Sequence, residues 1–92
     1  MKTLRLTIKR KYFEEIKKGE KKEEFRIIKQ YWINRLFDKN YDIIEFKNGY
    51  KKDSPIIKTE YNGFKEKKIT HEFFGNKELL VFAIQIGKIL NE

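Results

Sequence analysis

A carboxylate and a guanidinium lie two residues apart at Glu24 and Arg26, shortly after a lysine at position 21. Residues two apart in an extended strand share a face, so these two side chains can contact each other or converge on one ligand. A carboxylate accepts hydrogen bonds from the amino edge of a nucleobase, and an arginine holds a phosphate or stacks on a base. Such a pair can hold a nucleotide in a pocket, with Lys21 supplying charge at the rim, although the spacing alone favours the alternative. The alternative is a solvent-exposed ion pair, worth less than ~1 kcal/mol.

The elements that must position this pair follow from Gly19 and from the residues after it. Glycine suits the left-handed conformation that closes a helix, so a short helix is predicted to end at Gly19. Residues 22–29 alternate and predict a strand. The alternation places Phe25 and Ile27 on the face toward the core, and it places the charged residues on the other face. Lys21 has the parity of Phe25, so it can join the charged pair only from the turn that precedes the strand.

A second candidate cluster lies just downstream. Tyr31 and Arg35 are four residues apart, on one face of a predicted helix. Aromatic rings beside guanidinium groups are suited to stacking unpaired bases, so both residues are predicted to bind ligand. Trp32 either joins them or is simply a large core residue. Tyr50 follows an Asn48-Gly49 turn and either reaches the same cleft or only caps a loop.

Metal sites and nucleophilic triads find no support in the sequence. The chain has no cysteine, which excludes disulfides and thiolate ligands. His71 is the only histidine and Ser54 the only serine, and neither has a partner at metal-ligand or triad spacing. His71 is kept only as a minor candidate for a general base. No phosphate-binding glycine loop is present, so no cofactor and no metal are predicted.

Composition bounds the remaining possibilities. Ninety-two residues, 39% of them hydrophobic, allow one domain with a modest core, spanning 1–92. No apolar run approaches the ~20 residues of a membrane span, and the N-terminus alternates instead of forming a signal-peptide core. We therefore expect a cytoplasmic protein with no membrane partner. The net charge of +8 favours a polyanionic partner, or it reflects a general bias toward lysine, which supplies eighteen of the twenty-two basic residues.

The remaining pattern predicts an α+β fold. Strands are predicted at residues 4–8, 41–47, 55–61, 64–69 and 79–90, and short helices at residues 12–18 and 31–37. A turn is expected at Asn62-Gly63, and the lysine-rich strand after it is expected to lie at an edge. The last strand is apolar on both faces, which is typical of a central strand. These elements predict a small, mostly antiparallel, partly closed barrel of five or six strands with two short helices.

The pattern formed by Gly19, Lys21, Glu24 and Arg26 resembles the G-x-K-x-x-E-x-R signature of ASCH domains, which are small relatives of the PUA domain. The resemblance extends to Tyr31-Trp32 with Arg35-Leu36, to Asn48-Gly49-Tyr50 and to residues 81–87, and so covers nearly the whole chain. It implies a single ASCH-like domain with a PUA-like β-barrel. It also implies that the motif side chains line a cleft.

Three functions remain open at this point. The first is a nucleic-acid-binding module that holds RNA or a modified nucleoside in the cleft. The second is implied by ASCH relatives that hydrolyse acetylated cytidine or cleave RNA, with Lys21 and Glu24 as catalytic residues. Those deacetylating relatives use a threonine where this chain has Glu24, and their distant acid has three possible counterparts here: Glu66, Glu72 and Glu78. The third is a protein-binding domain with a vestigial cleft.

Overall fold

A computed structural model describes residues 1–70, 72 and 75–90 of the chain. Within them, five strands form one sheet and two helices pack beside it. The strands are β1 (Thr3–Ile8), β2 (Glu23–Ile27), β3 (Ile43–Asn48), β4 (Ile56–Thr70) and β5 (Glu78–Ile89), and the helices are α1 (Arg10–Lys17) and α2 (Gln30–Leu36). The predicted α+β class, with five strands and two short helices, is confirmed.

The sheet is mixed and has the strand order β1-β3-β4-β5-β2. β1 and β3 are parallel, and the other three pairs are antiparallel. The predicted barrel is not confirmed, because β1 and β2 lie at opposite ends of the order and form no backbone ladder in the described part of the chain. A side chain spans this gap: Nη2 of Arg26 in β2 donates to the carbonyl oxygen of Thr7 in β1, at 3.4 Å.

The core is built from the residues that alternation and helical spacing select. Leu4, Leu6 and Ile8 point inward from β1, and Ile44 and Phe46 point inward from β3. The helices complete this core with their buried residues, Phe13 and Ile16 from α1 and Leu36 from α2. Helices of eight and seven residues are marginal alone in water, so they depend on this packing. Among the described residues, neither helix has the length and apolarity to cross a membrane.

β4 departs from the prediction. Asn62-Gly63 does not turn the chain, since β4 runs without a break from Ile56 to Thr70. Gly63 has φ +86°, and the register with β5 shifts on either side of Tyr61. A glycine with positive φ at a register shift is typical of a β-bulge, which bends a strand and lets it continue. The second half of β4 is nevertheless an edge, as predicted, because residues 64–70 pair with β5 on one side while β3 pairs only with the first half of the strand, and no other described strand pairs with them.

β5 is an interior strand, as its two apolar faces predict. It lies between β4 and β2, and its consecutive residues Val81, Phe82, Ala83 and Ile84 are all buried. The loop predicted between β4 and β5 includes His71, which lies outside the described residues. β1 and β2 are the two strands at the ends of the order, and the candidate site forms between them.

Candidate functional site

The charged face of β2 lies on the side of the sheet that packs against the core, which is the opposite of the predicted orientation. Glu24 pairs with Ile84 and Arg26 with Phe82, and both partners belong to the core. Residues directly opposite in an antiparallel pair share a face, so Glu24 and Arg26 lie on the core face. Ile27 is instead 42% exposed on the outer face. The prediction that Phe25 and Ile27 point into the core was wrong.

Pairing explains how a carboxylate can occupy the core face. Glu24 is only 6% exposed. Its Oε1 lies 3.3 Å from Nζ of Lys21, and its Oε2 lies 2.8 Å from Nη2 of Arg26. Burial of an unpaired charge is very unfavourable, whereas ion pairs with good hydrogen-bond geometry offset much of that cost. Glu24 can therefore be buried because a cation contacts each of its two oxygens.

Gly19 determines where Lys21 enters this group. Gly19 has φ +77°, and its N–H donates to the carbonyl of Ile16 at 2.9 Å, while the N–H of Glu20 donates to the carbonyl of Glu15 at 2.9 Å. These two bonds define a Schellman motif, which ends α1. Lys21 follows at once and precedes β2, so it reaches Glu24 from the turn, as its parity requires.

Lys21, Glu24 and Arg26 line a cavity of about 450 Å³, here called the Glu24 cavity. This volume lies within the range of ~300–1,000 Å³ that is typical of small-molecule sites. The rest of its wall comes from β1 and the start of α1, from β2 and from the end of β3: Thr7, Ile8, Lys9, Arg10, Tyr12, Phe25, Asn48, Gly49 and Tyr50. Carboxylate, ammonium and guanidinium groups thus meet aromatic and apolar surface in one concavity.

Sequence reasoning missed the wall from β1 and α1. Parallel pairing of β1 with β3 places Ile8 beside Asn48, so the chain segments that follow both strands meet at the same end of the sheet. That pairing joins residues forty positions apart, and no local pattern predicts it. The available signal was the basic run at residues 9–11, which directly follows β1.

Tyr12 contributes a phenol that remains protonated at neutral pH. Burial raises the pKa of Tyr12 above its ordinary value of 10.0, and the nearby carboxylates, Glu72 foremost, raise it further against the opposing charge of Lys11. Nζ of Lys21 lies 4.9 Å from the centroid of the Tyr12 ring and 5.5 Å from that of Phe25. Both distances allow cation–π attraction, so the two rings help to hold the ammonium group in place.

Four of the six predicted ligand-binding residues surround the Glu24 cavity, and two do not. Tyr50 lines the cavity together with the three charged motif residues, and it is 90% exposed. Tyr31 and Arg35 lie on α2, outside the cavity wall. Nη1 of Arg35 donates to the Tyr31 hydroxyl at 2.9 Å, and its Nη2 donates to the carbonyl of Arg5 at 3.1 Å.

Trp32 lies between the two groups. Its ring packs against the core, as the structural alternative predicted, and the guanidinium carbons of Arg26 and Arg35 lie 5.1 and 5.3 Å from its centroid. Tyr31 meets the same ring edge-on at 5.0 Å. The Glu24 cavity and the exposed face of α2 are therefore neighbouring surfaces, because an arginine from each of them contacts the Trp32 ring.

Arg26 is held from two sides but is not fully satisfied. Its Nη2 serves both Glu24 and the carbonyl of Thr7. Its Nε–H is buried and has no acceptor among the described residues. An unsatisfied buried donor costs ~1–3 kcal/mol, and such groups are rare enough in folded proteins that each one calls for an explanation. The described contacts of Arg26 with Glu24 and Thr7 therefore leave one of its buried donors unexplained.

The three carboxylates considered for a distant acid lie elsewhere. Glu72 contacts Nζ of Lys11 at 3.1 Å, and Glu78 contacts Nζ of Lys68 at 3.7 Å. Neither of these residues lines the Glu24 cavity, and nor does Glu66. In the described ranges, no group of three or more histidine, cysteine, aspartate or glutamate side chains is arranged to hold a metal ion.

Comparison with known proteins leaves the function to be argued from this geometry. No family model, no curated protein and no solved structure matches the chain.

Proposed function

We propose that the chain is a nucleic-acid-binding module that holds one base of RNA, or a modified nucleoside, in the Glu24 cavity. One observation carries the proposal: a buried carboxylate, contacted by a cation on each oxygen, forms part of the wall of a cavity of about 450 Å³. A buried ion pair is a weak source of stability, because desolvation cancels most of its attraction. Three such charges at a cavity wall are better explained by a ligand that they recognise.

The charged residues of the cavity would contact different parts of the ligand. A carboxylate has about four acceptor positions, so Glu24 keeps acceptor capacity beyond its contacts with Lys21 and Arg26. That capacity suits the amino and imino donors of a base. Lys9 and Arg10, also in the wall, supply positive charge for the phosphates on either side. Tyr50, highly exposed, offers a ring on which a base can stack.

The proposal includes an ASCH-like fold for this domain. Two features support it. The motif begins where α1 ends and continues into β2, which is the position that the family pattern implies. Arg26 also bridges β2 to β1 through Thr7, so the two ends of the open sheet approach each other as they would in a PUA-like barrel.

RNA titration tests the proposal. A fluorescent single-stranded RNA is titrated at about 50 and 200 mM salt, and binding should weaken steeply between the two because phosphate contacts release counterions. Tyr50→Ala should weaken binding by about 5- to 150-fold, and Tyr50→Phe should retain it, since stacking on an aromatic ring contributes ~1–3 kcal/mol per base. The exposure of Tyr50 makes both variants safe for folding.

Arginine variants extend the test to the charged groups. Arg26→Ala, in the cavity wall, and Arg35→Ala, on the neighbouring face of α2 beside Trp32, should each weaken binding more than Lys68→Ala, which removes the same charge from a side chain outside both surfaces. Thermal unfolding of each variant separates loss of binding from loss of folding. RNA binding that is absent at the lower salt concentration, or equal in all of these variants, would refute the proposal.

A small hydrolase is the second candidate, because Nζ of Lys21 lies 3.3 Å from Glu24. A lysine and a carboxylate at that distance can position and activate a water molecule for attack on an acetyl group or a phosphodiester. Acetylated cytidine is incubated with the protein and acetate release is followed, while RNA integrity is checked on a gel. Turnover above that of Lys21→Ala supports the hydrolase, and equal rates exclude it.

A further inference from the structure

Three charged groups in the wall of the Glu24 cavity follow a definite order. Nζ of Lys21 contacts Oε1 of Glu24, and Nη2 of Arg26 contacts Oε2. The row therefore reads donor, acceptor, acceptor, donor. The two acceptors are oxygens of one carboxylate, so their spacing and their plane are fixed by a single rigid group.

Guanine has the complementary order on its Watson–Crick edge. The edge presents the O6 acceptor, the N1–H donor and the N2 amino donor side by side. The two donors match the two carboxylate oxygens, and O6 then faces the donor at one end of the row. Single-stranded bases are commonly read along this edge, because it is unpaired.

The other bases match less of the row. Adenine offers one donor, its N6 amino group, beside a bare ring nitrogen. Cytosine also offers a single donor, its N4 amino group, beside the acceptors N3 and O2, so it leaves one carboxylate oxygen without a donor. Uracil places its single N3–H between two carbonyl oxygens, and at least one of them faces the carboxylate. An acceptor opposite a carboxylate is repelled, and the buried group is left unsatisfied.

We infer that the Glu24 cavity selects guanine through its Watson–Crick edge, an inference that rests on the proposed function of binding RNA bases. Glu24 receives N1–H and the N2 amino group. Lys21 donates to O6, because its ammonium group rotates freely and has three hydrogens. Arg26, whose donors are shared between Glu24 and Thr7, holds the carboxylate in plane.

Changes in the RNA test this inference without disturbing the fold. Uridine hexamers with one central guanosine, inosine, 1-methylguanosine, adenosine or cytidine are compared with the all-uridine hexamer. Inosine lacks only the N2 amino group, and 1-methylguanosine carries a methyl group in place of the N1 proton, which removes the donor and adds bulk at the same position. Hydrogen bonds to charged groups contribute enough that each loss should weaken binding by about tenfold or more. Adenosine, cytidine and uridine hexamers should bind more weakly than the guanosine hexamer.

A protein variant supplies an independent test. Lys21→Met keeps an unbranched side chain that is one atom shorter, and it removes the donor to O6. It should lower the affinity for the guanosine hexamer by about tenfold more than it lowers the affinity for the adenosine hexamer, with thermal unfolding used to verify the fold. Equal affinity for all the hexamers, or tightest binding of cytidine or adenosine, would overturn guanine selection and leave the proposed function standing. Failure of every hexamer to bind would overturn both.

Discussion

Replacement of Glu24 by alanine should lower the free energy of unfolding by about 3–5 kcal/mol. The carboxylate lies 3.3 Å from the Lys21 ammonium group and 2.8 Å from the Arg26 guanidinium group. At an effective dielectric constant of about 20, each attraction is roughly 5–6 kcal/mol before desolvation is subtracted. Removal of the shared anion leaves two cations facing each other, with side chains only 12% and 22% exposed. Water can therefore replace little of the lost interaction.

The cost is measured by urea unfolding at pH 7, followed through the fluorescence of Trp32, the only tryptophan. Glu78→Ala is the matched control. Glu78 also pairs with a lysine, Lys68, at 3.7 Å, but both side chains are more than 60% exposed. Exposed pairs contribute at most ~1 kcal/mol, so the control should stay within that limit. A domain of this size has a total stability of about 5–15 kcal/mol, so the difference between the two variants is readily resolved.

A triple variant separates the two roles of the buried charges. Joint replacement of Lys21, Glu24 and Arg26 by methionine, leucine and methionine removes every charge and leaves no buried ion unpaired. Such replacements are commonly neutral or stabilising, so the triple variant should unfold at a urea concentration at least as high as the native protein does. It should nevertheless lose RNA binding. A free energy of unfolding for Glu24→Ala within ~1 kcal/mol of that of the native protein would refute the reasoning, because Lys21 and Arg26 would then not depend on Glu24 for their burial.

Two further predictions concern the hydrogen bonds of Glu23 and the close approach of Gly87 to β4. Hydrogen bonds from Lys67 and, to a lesser extent, from Gln85 lower the pKa of Glu23 below its ordinary value of 4.5. The ionised carboxylate therefore stabilises the fold above pH 4.5, and this stabilisation is lost as the pH falls through the lowered pKa of Glu23 in the folded state. Urea unfolding between pH 6 and about 2 should show a shallower decline for Glu23→Gln than for the native protein. Gly87→Ala should cost ~1–3 kcal/mol in the same assay, because the added Cβ would lie 2.8 Å from Cβ of Glu60.

Both predictions have clear contrary outcomes. Glu78→Gln serves as the control for Glu23, and an identical pH dependence in the two variants would show that the bonds from Lys67 and Gln85 have no net effect. For Gly87→Ala, an unchanged midpoint would show that β4 and β5 can separate locally without loss, which would contradict close packing at the bulge.

Local patterns were sufficient to predict the two helices and every strand except β4. Gly19 has a left-handed φ and ends α1, since glycine lacks the Cβ that opposes this conformation. Leu4, Leu6 and Ile8 alternate and are buried, and Phe13 and Ile16 share one helical face. The convergence of Lys21 on the Glu24–Arg26 pair also followed from parity and the position of the turn. Each of these inferences depends on residues within one turn or one strand of each other.

Tertiary structure decided which way the charged face of β2 points. A period of two shows that Glu24 and Arg26 share a face, but not whether that face lies inside. Which face is buried depends on the cost of desolvating the charges and on the contacts that offset it. Those contacts come from Lys21, from the carbonyl of Thr7 and from the strand that pairs with β2. The same holds for β4, where Gly63 forms a bulge and not a turn because β5 continues to pair beyond it. The cavity exists only because the parallel pairing of β1 with β3 brings its distant wall segments to one end of the sheet.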